Sequence, residues 1–126
     1  MPVDFVWDDA EKTVIRYRAL GTWNWSDYHK MVRISTFHLD TLDHSVDTLF
    51  DLTGSTRMPA GAVGHLRMLG KADHAHRRPR AIIIGADETL QTQLGAVAGV
   101  YRADGQLLQF VADEAEAQAV LAAWRA

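Results

Sequence analysis

Apolar and charged positions alternate from residue 15: Ile15, Tyr17 and Ala19 fall on one face, Arg16 and Arg18 on the other. A period of two marks a strand with one wet face, here over residues 13–20. A shorter strand over residues 4–8 precedes it across the polar turn Asp8-Asp9-Ala10-Glu11, so the pair predicts an antiparallel hairpin. Gly21 closes the second strand. The period then changes. Asn24 is a good N-cap, Asp27 stands where a carboxylate reaches back, and Trp23 and Tyr28 are spaced as a hydrophobic staple. Trp25, Tyr28, Val32, Ser35 and Leu39 share one helical face, which predicts a helix over 25–39.

Residues 46–52 are dense in apolar side chains and predict a strand covered on both faces. A loop over 53–59 follows, and Pro59 fits the first position of a second helix with the stripe Ala62, Val63, Leu66 and Leu69. A second loop is expected over 70–80, and a buried strand over 80–86. Asp87 caps a third helix whose stripe is Leu90, Leu94, Val97, Ala98 and Tyr101. Asp104-Gly105 is a turn, residues 107–111 are a strand, and Asp113-Glu114-Ala115-Glu116 opens a terminal helix carrying Ala117, Val120, Leu121 and Trp124. The expected order is β-β-α-β-α-β-α-β-α. Alternation of strands and helices implies an α/β fold, its sheet mostly parallel with an antiparallel first strand.

Composition narrows this only a little. At 126 residues, 48% of them apolar, the chain suits a single domain over 1–126 with a real core. It holds no cysteine, which excludes a disulfide scaffold or a thiolate zinc site. Its net charge of -3 argues against a dedicated nucleic-acid binder. No apolar run approaches the roughly 18 residues of a membrane span, and the N-terminus shows no signal-peptide pattern, so a cytoplasmic protein is expected.

Phe50-Asp51-Leu52-Thr53-Gly54 resembles the end of the central strand in STAS domains, the sulfate-transporter and anti-sigma-factor-antagonist family, and the spacing carries through to Val63-Gly64. Gly21-Thr22-Trp23-Asn24-Trp25 is more similar to the small stand-alone SpoIIAA-like branch, which keeps company with lipid-binding domains. The resemblance implies a STAS fold over the whole chain and a non-enzymatic protein-interaction module. It also shows a departure. Antagonists of that family are switched by phosphorylation of a serine in an Asp-Ser-Ser-Gly motif, and the four corresponding places here read Pro59-Ala60-Gly61-Ala62. No hydroxyl stands at the switch position, so binding would be constitutive.

Candidate chemistry is sparse. No catalytic motif is found, and no cofactor or metal is expected. Gly64 to Lys71 has the wrong spacing for a phosphate loop, and Ala72 stands where Ser or Thr is needed. His74, His76, Arg77, Arg78 and Arg80 form a cationic stretch that reads as a solvated loop with at most a modest pull on anions, the alternative being a site for a metal, a phosphate or an acidic partner. Asp40, Asp43, His44 and Asp47 read as turn residues. The expected interaction or ligand loop comprises Asp51, Thr53, Ser55, Thr56, Arg57, Pro59 and Gly61, with Asp51 alternatively a turn acceptor for the backbone after it. Ser55 and Thr56 read as ordinary turn residues, with modification of either hydroxyl the alternative. Trp23, Trp25, Tyr28 and Met58 read either as core or as the lining of an apolar pocket. The leading expectation is binding of a partner protein, or of a second copy as a homodimer, and the alternative is a small apolar or lipid-like ligand.

Overall fold

The computed structural model describes residues 2–71 and 73–125. Met1, part of the N-terminal reading, and Ala72, part of the phosphate-loop reading, lie outside the described residues, as does Ala126. The order is β1 (Val3–Trp7), β2 (Val14–Ala19), α1 (Trp25–Leu39), β3 (Val46–Asp51), α2 (Ala62–Met68), β4 (Arg77–Ile84), α3 (Glu88–Leu94), β5 (Val100–Ala103), β6 (Gln106–Val111) and α4 (Glu114–Arg125). They form one sheet in the order β1-β2-β3-β4-β6-β5. Neighbours among β2, β3, β4 and β6 run parallel, while β1 and β5 pair antiparallel at the two edges. Parallel neighbours cannot be joined by a tight turn, so each crossover carries a helix. Residues of α1, α2 and α3 pack into the larger core on one face of the sheet, and Ala117 and Leu121 of α4 pack into a smaller core on the other.

The hairpin, α1 and the buried strands follow the hydrophobic pattern. The Asn24 side chain accepts from the Asp27 amide, and the Asp27 carboxylate accepts from the Asn24 amide. Such a reciprocal cap satisfies two donors that every helix start leaves open. Inside the larger core Phe50 is the hub: the Trp23 and Tyr28 rings lie 5.7 and 4.8 Å from it, and Trp25 meets Trp23 edge-on at 4.8 Å.

Three boundaries differ from the pattern. The third helix ends at Leu94 instead of continuing to Tyr101, because Gly95 turns left-handed (φ 96°) and Ala98 (φ 52°) and Gly99 (φ 77°) keep the chain out of helix. Val97, placed on the helical stripe by spacing, is 77% exposed. The chain then forms β5, and Asp104-Gly105 is the two-residue turn of a hairpin with β6. The second helix begins at Ala62 rather than Pro59, behind a left-handed Gly61 with no side-chain cap. β4 begins at Arg77, inside the stretch read as a loop. Its register against β3 shifts between Val46 and Thr48, and Pro79 sits exposed at that irregularity.

Candidate functional site

The loop singled out by sequence is a tightly tied segment. Asp51 ends β3 and accepts from the Thr53 amide (2.9 Å), the Thr53 hydroxyl (2.6 Å) and Arg16 Nη1 (2.8 Å). These bonds make Asp51 a turn acceptor and hold its carboxyl below its ordinary pKa; the Thr53 and Arg16 contacts outweigh burial, which acts the other way. The Trp23 indole donates to Ser55 Oγ (2.7 Å), Ser55 donates to the Arg57 carbonyl (3.1 Å), and the Trp25 indole donates to the Ala60 carbonyl (3.1 Å). Thr56 is tied through its amide to the Gly21 carbonyl (2.9 Å), and Arg57 is exposed. Met58, Pro59 and Gly61 wall an open groove of about 370 Å³ against Leu90 and Gln93 of α3. The four aromatic and Met residues are therefore divided. Trp23, Trp25 and Tyr28 join the packed cluster around Phe50, and Met58 is half-buried, packing on the edge of that core while lining the groove.

A different site lies between α1, α2 and the sheet. A more enclosed cavity of about 210 Å³ is lined by Tyr28, His29 and Val32 of α1, by His65 and Met68 of α2, by Thr48 of β3 and by Arg77 of β4. Leu69, Gly70, Lys71 and Asp73 complete its lining. Arg77 is 6% exposed. Its Nε donates to Asp73 (2.7 Å), Nη1 to Thr48 Oγ1 (3.1 Å) and Nη2 to the Tyr17 hydroxyl (2.8 Å). Ser35 spends its own proton on the Val32 carbonyl, so Tyr17 donates to Ser35 (2.6 Å) and accepts from Arg77. A guanidinium has five N–H groups. Three are used here, leaving one on each terminal nitrogen without a partner among the described residues.

The Arg77 charge is secure. Burial alone would lower its pKa, but Tyr17 and Asp73 more than offset that and the net direction is up. Tyr28 is 6% exposed, yet its hydroxyl makes no hydrogen bond among the described residues; burial pushes its pKa up, so it stays a neutral donor. At the rim, His29 Nε2 and His65 Nδ1 are 2.9 Å apart, and the His65 ring stacks on Trp25 at 4.5 Å. Burial, His65 and Arg33 all lower the His29 pKa. A cavity lined by a buried cation and by a tyrosine whose hydroxyl has no partner among the described residues is suited to a polar group.

Sequence reasoning missed Arg77 by reading it as solvated. One signal was present: period two run back from Ile83 and Ala81 reaches Arg77 on the core-facing side. The rest of the cationic stretch is spent locally. His76 Nδ1 lies 2.9 Å from the Leu39 carbonyl and His74 Nε2 2.6 Å from Asp40, which closes the end of α1. Arg80 pairs with the buried Asp47 (2.6 Å) and lies 4.4 Å over the Trp124 ring. Arg80, Asp47 and Trp124 border an open basin of about 610 Å³, but Asp47, Arg78, Arg80 and Asp9 there already have partners. Of the carboxylate cluster, Asp43 and His44 pair with each other, and Asp47 pairs with Arg80. Among the described residues no three His, Asp or Glu side chains converge on a metal position, and no helix is long and apolar enough to cross a membrane.

No protein-family model, curated protein or solved structure matches the chain. Function is therefore read from the sites themselves.

Proposed function

We propose that the chain is a non-enzymatic, STAS-like binding module and that it holds a small ligand in the cavity between α1, α2 and the sheet. One observation carries this reading: a buried arginine and a tyrosine hydroxyl that both retain unused hydrogen-bonding capacity line one enclosed space. The element order, with its antiparallel first strand, supports the STAS-like part of the reading. The absence of a hydroxyl from Pro59-Ala60-Gly61-Ala62 supports a role other than a phosphoswitch.

Native mass spectrometry of gently purified protein tests the reading. A non-covalent adduct that is lost on denaturation is expected, and it should be missing from Val32→Trp, which fills the cavity from α1. A bare mass for the unaltered chain, with no stabilisation by any member of a small-molecule library, would end it.

A second reading is a protein partner, or a second copy, at the groove of Met58, Pro59 and Gly61. It is favoured by the two indole hydrogen bonds that hold this loop in shape before any partner arrives. Gly64 lines the same groove with open space around its Cβ position, so Gly64→Arg adds bulk there without an internal clash. That change should abolish partner capture or dimerisation and leave the cavity adduct in place.

A further inference from the structure

Resting on the cavity reading, we infer that the ligand is a small monocarboxylic acid, its carboxylate at Arg77 and Tyr28 and its apolar body along Val32, Met68 and Leu69. Three observations converge on this class.

The first is charge. Lys71 and Arg77 line the cavity against a single carboxylate, Asp73, which is half-exposed. One added negative charge balances the site. A cationic ligand would face Arg77 directly, and a dianion would bring more charge than the excess there. The second is hydrogen bonding. The unpartnered N–H on each terminal nitrogen of Arg77 and the Tyr28 O–H are all donors once the ligand supplies only acceptors. An ionised carboxylate is acceptor-only, and charge-assisted bonds to a guanidinium are among the strongest a protein makes. An amide or alcohol brings donors of its own and forgoes the charge. The third is size. About 210 Å³ falls below the roughly 300–1,000 Å³ of sites for drug-sized molecules, so the occupant is small. Val32, Met68 and Leu69 supply apolar wall, which a bare inorganic anion would leave wet. Met68 is 61% exposed and unbranched, able to fold over a bound body of varying shape.

The test is isothermal titration of the full chain near pH 7 with benzoate, hexanoate, benzamide, hexanol and inorganic phosphate. The two acids should bind saturably, one per chain, with micromolar to millimolar dissociation constants suited to ligands this small. Benzamide and hexanol should bind roughly tenfold to a hundredfold more weakly, the worth of hydrogen bonds to a charged group. Tyr28→Phe should weaken the acids roughly three- to tenfold with no change in the unfolding midpoint, since its hydroxyl bonds nothing among the described residues. Val32→Trp should abolish binding, and Arg77→Gln should abolish it too if circular dichroism shows that variant folded. Equal affinity for acid, amide and alcohol would overturn the carboxylate assignment while leaving the cavity reading intact. Phosphate binding in the absence of acid binding would overturn it in favour of a phosphoryl ligand. No heat from any probe overturns it as well; a retained adduct of another class would then preserve the cavity reading, and a bare mass would end both.

Discussion

The two faces of the sheet each bury an arginine, and they treat it differently. On the α4 face, Arg16 of β2 donates to Asp8 (2.8 Å), Asp51 (2.8 Å) and Glu114 (2.5 Å), so three carboxylates from three parts of the chain surround one guanidinium. On the other face, Arg77 meets one half-exposed carboxylate and two neutral hydroxyls, and it adjoins a cavity. The first arrangement is closed: the cation has more anionic partners than it needs, and nothing further is invited. The second is open on one side. Each guanidinium uses three of its five N–H groups, so the difference lies in charge and surroundings: Arg16 is outnumbered by carboxylates and fastens β2, β3 and α4 together, while Arg77 has one half-exposed carboxylate and adjoins a cavity. The contrast separates a structural arginine from a receptive one without reference to any relative.

The largest expected effect lies on the closed side. Arg16→Met strips the shared cation from Asp8, Asp51 and Glu114, of which Asp8 and Asp51 are largely buried. Loss of one partner from a buried ionic network costs about 3–5 kcal/mol, which urea denaturation should register as a much lower midpoint. Arg77→Met should cost less, about 1–3 kcal/mol, because Asp73 is 49% exposed and can return to water. If the two losses are equal, the distinction between the closed and open sites fails.

A finer test removes one oxygen from either of two adjacent tyrosines, whose rings are 5.8 Å apart. Tyr17→Phe takes away the acceptor for Arg77 and the donor to Ser35, and should cost about 1–3 kcal/mol. Tyr28→Phe removes a hydroxyl that bonds nothing among the described residues, and should stay within about 0.5 kcal/mol. Similar losses at both would place the Tyr28 hydroxyl in the folded network rather than at the disposal of a ligand.

The smallest expected effect is a pH dependence at the cavity rim. His29 has its pKa lowered in the folded chain by burial, by His65 and by Arg33. The unfolded chain then binds more protons as pH falls below the ordinary histidine value of about 6.5. Stability from this group is present at neutral pH and is lost on acidification. His44, raised by the Lys12 carbonyl and Asp43, works in the opposite sense and stabilises the fold on the acid side. Comparing melting temperatures at about pH 7.5 and about pH 5 should show a smaller fall in His29→Gln than in the unaltered chain. An unchanged fall would assign the dependence to other groups.

Much of the architecture was legible because it is written locally. The alternation from Ile15 to Ala19, the Asn24–Asp27 cap and the dense strand at Ile82, Ile83 and Ile84 are each decided within a few residues. The misplaced boundaries were decided by glycine conformation instead: Gly95 and Gly99 stop α3 short and Gly61 delays α2, although helical spacing of apolar residues continues through all three. The Asp104-Gly105 turn was visible, but β5 before it reads as helix when Val97 and Tyr101 are counted on one stripe. The candidate site was least legible. Tyr28 stood out as an aromatic on a helix face, yet Arg77 is buried only because Tyr17, Thr48 and Asp73 come to it from other elements. A run of Arg and His looks solvated until long-range pairing supplies acceptors.

The most direct test of the central claim is a methyl NMR titration with benzoate, reading both faces of the sheet at once. Saturable shifts are expected at Val32, Met68 and Leu69, with the Leu121 and Val120 methyls on the α4 face unmoved. Shifts of similar size on both faces, or none at the cavity methyls, would contradict the assignment of a receptive site between α1 and α2.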